Sequence, residues 1–264
     1  MATFFGEVLS VYSRAVEEDE ECEEEEDEQI RREIEQKRCV EVRWLSQTEV
    51  GPLPCSELIV AVGPNATGFV SAYVLNSGGW PAVAYLSLWN ERSHGSDTGE
   101  PSCVLYRQEQ VLICQCSCYV AEDQLFQWAE KVLGCVQTRG LRVTVLSDCS
   151  AAEYKSSDYL SGSSVPFLRC LKTDTHTHTL ACPLLERPNI STGLAAAVLN
   201  HCQVQRIPAV LYQCFSDVLQ PDSLSMQAYR PAVSAVLKLD QSPCADVLQK
   251  IIIPGGSVQS NLYT

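Results

Sequence analysis

Hydrophobic and polar positions change period several times along the chain, and each change marks an element. Residues 39–45 (CVEVRWL) alternate apolar and polar, the period of a half-buried strand. Residues 57–63 (ELIVAVG) form an almost unbroken apolar run ending in glycine, which predicts a strand covered on both faces. Asn65 stands where a helix cap belongs, and a helix is predicted from it to about Asn76, stopped by Gly78-Gly79. Further strands are predicted at 81–89, 103–106, 111–119, 141–147, 166–172 and 207–215. Over 121–133 the spacing turns helical, with Leu125, Trp128, Ala129, Val132 and Leu133 on one stripe. Glu122 and Asp123 suit the positive end of that helix, and Gly134 follows its last turn. Helices are also predicted at 191–204, at 223–239 with a break or restart at Pro231, and at 243–253. The stretches 92–101 and 156–164 read as loops. Parallel strands need crossovers, and helices alternate with strands through most of the body. The expected fold is therefore α/β: a mainly parallel or mixed central sheet with helices on both faces.

Composition changes the picture at the two ends. The chain of 264 residues has a formal net charge of -14, with 11 acidic side chains in residues 17–28, interrupted only by Cys22. Outside that run 22 acidic residues face 19 basic ones, so the body is nearly neutral. Like charges at such density resist collapse, and residues 1–38 are expected as a disordered acidic segment. An exposed helix over 27–38 is the alternative, since Glu28–Arg32 and Glu33–Lys37 have the favourable i,i+4 order. The acidic run itself reads either as a solubilising tail or as an electrostatic contact with a basic surface. A single α/β domain is expected at 39–253, followed by a flexible tail at 254–264 opened by Pro254-Gly255-Gly256.

Several function classes lose support. No basic stripe could replace phosphate counterions, so no nucleic-acid partner is expected. No run of about 18 apolar residues predicts membrane insertion. Met1–Gly6 lacks a basic start and a long apolar stretch, so a cytoplasmic protein with reduced thiols is expected despite 14 cysteines. The sequons at Asn65 and Asn189 are then chance matches.

Candidate chemistry is sparse. Gly63-Pro64-Asn65-Ala66-Thr67-Gly68 joins a buried strand to a helix, where an α/β protein would hold a phosphate, but it has neither GxGxxG nor the Lys-Ser/Thr of a P-loop. A tight turn is the expected reading. Cys114-x-Cys116-x-Cys118 would put three thiols on one strand face, with neighbours about 7 Å apart, too far to close a tetrahedral zinc site. Small apolar packing under a helix is expected instead. His176-x-His178 reads as an exposed loop with only Asp174 as a nearby carboxylate. No GxSxG elbow is present; Gly162-Ser163-Ser164-Val165-Pro166 fails at its last position. No catalytic residue, cofactor or metal ligand is assigned.

The last three residues differ. Leu262-Tyr263-Thr264 is a hydrophobic residue, a tyrosine, any residue, then a free carboxylate (an HbYX ending). A ring and an apolar side chain can enter a pocket while a partner lysine meets the carboxylate. By composition the pattern arises by chance in about 2% of chains, so alone it is a weak signal. The body strengthens it. Cys114–Asp123, Leu88-Trp89-Asn90-Glu91, Pro183-Leu184-Leu185-Glu186, Gln259–Thr264 and the start Ala2–Glu7 ahead of an acidic run resemble the proteasome assembly chaperone family over essentially the whole chain. That resemblance implies a non-enzymatic protein with a fold like nucleoside-phosphorylase α/β domains. It also implies a heterodimer with a paralogous second chaperone, proteasome assembly chaperone 2, acting on 20S proteasome α subunits. The pair would promote α-ring assembly and prevent off-pathway association, with Leu262, Tyr263 and Thr264 docking between α subunits. The reading from a different class is a small-molecule enzyme of nucleoside phosphorylase or hydrolase type, with its ligand at the Gly63–Gly68 turn.

Overall fold

The computed structural model describes residues 27–33, 38–46, 51–88, 103–155, 165–218, 220–237, 239 and 243–252. The expected loops 92–101 and 156–164, most of the acidic run and the tail 254–264 lie outside these residues. The chain divides between Cys39 and Val40 into two units. In the first, 27–33 form an exposed helix, α1, in which Arg32 Nη2 lies 2.7 Å from Glu28 Oε2.

The second unit is built on an eight-stranded sheet ordered β1-β3-β4-β5-β2-β6-β8-β7, where β1 is Glu41–Trp44, β2 Glu57–Val62, β3 Ala82–Ser87, β4 Cys103–Gln108, β5 Val111–Cys116, β6 Arg142–Ser150, β7 Phe167–Lys172 and β8 Ala209–Ser216. β5, β2, β6 and β8 run parallel, and antiparallel strands flank them on both sides. The helices are α2 (Pro64–Tyr73), α3 (Leu125–Gly134), α4 (Gly193–Val204), α5 (Ser223–Ala228), α6 (Arg230–Val233) and α7 (Ala245–Ile252).

Period-2 alternation of β2 shows why helices cover both faces. Leu58 and Val60 pack in one core with Trp128 of α3 and Leu194 and Val198 of α4. Ile59 and Ala61 pack in the other with Phe69 and Tyr73 of α2 and Met226, Tyr229 and Val233. All eight residues of β8 are buried, as its apolar run requires. The helix at 121–133 begins as a 3-10 turn at Glu122–Gln124 before α3 proper, and its stripe is buried at Trp128, Ala129, Val132 and Leu133.

Two expectations change here. The break in 223–239 lies at Tyr229, and the second helix restarts at Arg230, with Pro231 in its first turn, where a missing N–H is harmless. Asn65 is not the cap of α2. The helix starts one residue earlier at Pro64, its N-cap is Gly63 at φ 97°, and no side chain of that residue closes it. The cap is supplied from 83 residues away: Asp148, on β6, accepts from Asn65 N at 2.6 Å and Ala66 N at 3.1 Å. Asn65 instead accepts the backbone N–H of Asp222 at 2.8 Å and ties the start of α5 to α2.

Candidate functional site

The helices that follow β2 and β5 go to opposite faces of the sheet: α2 to one core, α3 to the other. These neighbouring strands therefore diverge at their carboxyl ends, the position where open α/β sheets form a crevice. A cavity of about 560 Å³ opens there, lined among others by Val62, Val120, Leu125, Leu194 and Ala195, with Tyr119 exposed beside it. A more polar cavity of about 350 Å³ adjoins it along the ends of β6 and β8, sharing Gly63, Ser147 and Thr192.

Between the two stands the turn that could have taken a phosphate. Its helix N-terminus is already occupied. Besides its two backbone contacts, Asp148 accepts from the Tyr229 hydroxyl at 2.5 Å. Gly63 is required by the same packing, because a Cβ there would lie 2.7 Å from Asp148 Oδ2 on a backbone of positive φ. Burial pushes the Asp148 carboxyl up to about 6, against the opposing pull of the Tyr229 hydroxyl and the two amides. The Tyr229 phenol is raised by its own burial and by Asp148. An internal carboxylate thus fills the positive end of α2 and would repel an incoming phosphate.

The other sequence candidates are placed apart. Cys114 and Cys116 are buried in the core under Trp128, as expected for packing, and β5 ends at Cys116. Cys103 Sγ lies 3.9 Å from Cys114 Sγ, and Cys116 Sγ 3.9 Å from the partly buried Cys118 Sγ. Burial raises Cys114, and the neighbouring thiols, with burial added, raise Cys103 and Cys116, so these thiols stay protonated and unreactive. The His176-x-His178 segment is a correction. His178 is exposed, with Nε2 3.1 Å from Arg142 Nη1, but His176 is buried. The turn from Thr173 to His176 closes by His176 N donating to the Thr173 carbonyl, and Thr173 is anchored on Ala209 at the start of β8. That docking draws the ring inward, where burial lowers its pKa and keeps it neutral. Asp174 is engaged by Gln203 Nε2 at 2.7 Å. Among the described residues no group of three or more His, Cys, Asp or Glu could hold a metal ion, and no helix is long and apolar enough to cross a membrane. Leu262, Tyr263 and Thr264 lie outside the described residues.

Sequence reasoning missed Asp148, Tyr229, Glu153 and Gln213. The one local signal was an acidic residue just past the apolar strand at 141–147, at the end where α/β proteins gather polar groups.

Comparison with known proteins agrees over the whole length. The family model PAC1, described as proteasome assembly chaperone 4, matches residues 1–264. Proteins named proteasome assembly chaperone 1 are 66% identical in Danio rerio, covering 100% of both chains, and 42% identical in Homo sapiens, covering 100% of this chain and 99% of that one. Among solved structures, Pyrococcus furiosus PbaB, an archaeal proteasome activator, superposes with a TM-score of 0.56 at 13% identity over 77% of this chain and 91% of its own. P. furiosus PbaA, an archaeal homolog of proteasome-assembly chaperone, gives 0.53 at 10% identity over 80% and 91%. Identities that low establish the shared fold alone. Full-length identity to relatives that carry one name, together with the full-length model match, is stronger: the chain belongs to the proteasome assembly chaperone 1 family.

Proposed function

We propose that this chain, paired with a paralogous second chaperone, promotes assembly of the 20S proteasome α-subunit ring and prevents off-pathway α-ring association. The observation that carries this reading is the end-to-end similarity to relatives named for proteasome assembly. PbaB, a proteasome activator, and PbaA, a homolog of proteasome-assembly chaperone, point the same way, since both connect this fold with the proteasome. In the same reading 1–38 is an accessory acidic segment, 39–253 the chaperone domain and 254–264 a docking tail, and the protein works in the cytoplasm without catalysis.

Geometry supports the tail as an anchor. α7 packs Val247, Leu248 and Ile251 on the α2 side of the sheet and ends at Ile252, 12 residues before Thr264. Twelve residues span up to about 40 Å when extended, enough to enter a pocket on another molecule. A tail that orders on binding loses entropy and holds modestly by itself, and a second tail on the partner raises the effective concentration. Modest grip also permits release when assembly is complete. The enzyme reading loses its anion position to Asp148.

The pairing is tested by co-expressing the chain with its paralogue and measuring mass by light scattering, with and without α subunits. The expected result is a 1:1 heterodimer that gains mass when α subunits are added. Two separate species, each unchanged by α subunits, would contradict the proposal.

A further inference from the structure

The tail leaves the body close to the larger cavity. Cys244, just ahead of α7, donates its N–H to the Ala72 carbonyl at 3.2 Å. Toward the other end of α7, a Cβ on Gly68 would lie 3.3 Å from Ile251 Cγ2. α7 therefore runs back along α2 toward the carboxyl end of the sheet. Gly68 stands five residues, about 7.5 Å of helix, from Gly63, and Gly63 lines the cavity of about 560 Å³.

The walls of that cavity suit an uncharged apolar guest. Val62, Val120, Leu125, Leu194 and Ala195 supply apolar surface, Tyr119 stands exposed at its side, and among the described residues that line it Glu122 alone is charged. The first turn of α4 forms part of the wall and no side chain caps it, so a bound chain can set its carbonyls against those amides. Residues 253–264 match this chemistry: they carry Val258, Leu262 and Tyr263 and no charged side chain. Twelve residues reach up to about 40 Å, well beyond the distance from Ile252 to the cavity mouth along α2. A segment on so short a tether is present at about millimolar effective concentration, which favours it over a second copy or another protein. Apolar surface left open to water gains by being covered.

We propose that Leu262 and Tyr263 of the chain's own tail occupy this cavity when no α subunit is bound. The same two side chains are then withheld in the body and handed over to an α subunit that offers a better pocket. The handover rests on the docking reading given above; occupancy in the isolated chain does not. A tail docked in cis about nine times in ten binds an α subunit about tenfold more weakly than an undocked one, which delays capture until the right surface is met.

Hydrogen exchange of the full chain without α subunits tests it, comparing wild type with the Leu262→Ala, Tyr263→Ala double variant. Amides at 118–121 and 193–196 are expected to exchange about tenfold faster in the double variant, with β8 unchanged. A labelled peptide of residues 254–264 should bind the double variant saturably, and wild type about tenfold more weakly because its own tail competes. Adding Tyr119→Ser to the double variant should weaken the peptide; Tyr119 is exposed, so this change leaves the core intact. Equal exchange in the two proteins, equal peptide binding by both, or peptide binding indifferent to Tyr119→Ser would overturn the proposal. Protection that rises with chain concentration would assign the cavity to the tail of a second copy, and would overturn it too. Faster exchange in a double variant that still captures α subunits like wild type would support this site and contradict the docking reading instead.

Discussion

Asp148→Ala is expected to lower stability at pH 7.5 by about 2–4 kcal/mol, and by about 1 kcal/mol more at pH 5.2. The first figure comes from two backbone donors. The substitution strips the acceptor from Asn65 N and Ala66 N, and buried donors left unsatisfied cost about 1–3 kcal/mol each, whereas the Tyr229 hydroxyl keeps the Ser147 carbonyl at 2.8 Å. Part of that loss is offset, because the variant no longer buries a carboxylate. The second figure follows from the sign of the shift. The folded carboxyl titrates near about 6 and the unfolded one near ~3.9, so between these values the folded chain holds more protons. The stability contributed by the protonated form is complete below ~3.9 and is lost as pH rises through about 6. Over pH 5.2–7.5 the linkage amounts to about 1 kcal/mol. Both pH values lie above the sequence pI of about 4.7, which keeps the chain charged. Urea unfolding of both proteins at the two pH values measures the difference. A gap that does not change with pH would mean that Asp148 does not titrate as its burial requires.

Trp128→Ala should be the most damaging single core change. The side chain is fully buried in the core shared by α3, α4 and β2, and a tryptophan buries roughly 150–250 Å². Large aromatic truncations cost about 3–5 kcal/mol, which approaches the whole stability of many domains at about 5–15 kcal/mol. Trp128→Phe separates packing from polarity. Its ring keeps most of the apolar contact, and it removes an Nε1–H that has no hydrogen-bond partner. The phenylalanine variant should therefore lose less than about 1.5 kcal/mol. Thermal unfolding of the two variants decides it; similar losses for both would show that the indole N–H has a partner of real value.

The fold was legible where burial alone sets the pattern. The run 57–63 and the run 207–215 each have one solution, a strand covered on both faces, and both became inner strands of the sheet. Trp128 and its stripe were legible for the same reason, since helical period and burial agree. Legibility failed where a distant residue decides a local question. Asn65 has the chemistry of a cap, but proline at the first helical position and glycine before it move the helix start to Pro64, and Asp148 takes the capping role. Nothing within a few residues of Asn65 announces that partner. His176 looked exposed because its neighbours are polar, yet the Thr173 anchor on β8 turns the ring inward. The cavity residues Gln213 and Glu153 come together only through the parallel pairing of β6 with β8. The tail is proposed by a different route, from its pattern and the family resemblance, and it lies outside the described residues.

We propose that the ending Leu262-Tyr263-Thr264 is one of at least two anchors holding the chain on proteasome α subunits. The most direct test is capture of α subunits by the full chain paired with its paralogue, comparing wild type with the Leu262→Ala, Tyr263→Ala double variant. With two anchors, losing one removes the avidity between them, which is worth about 10²–10⁴ in apparent affinity. A loss of at least that lower size is expected, with heterodimer formation unchanged. Equal capture by the double variant and the wild type would contradict it.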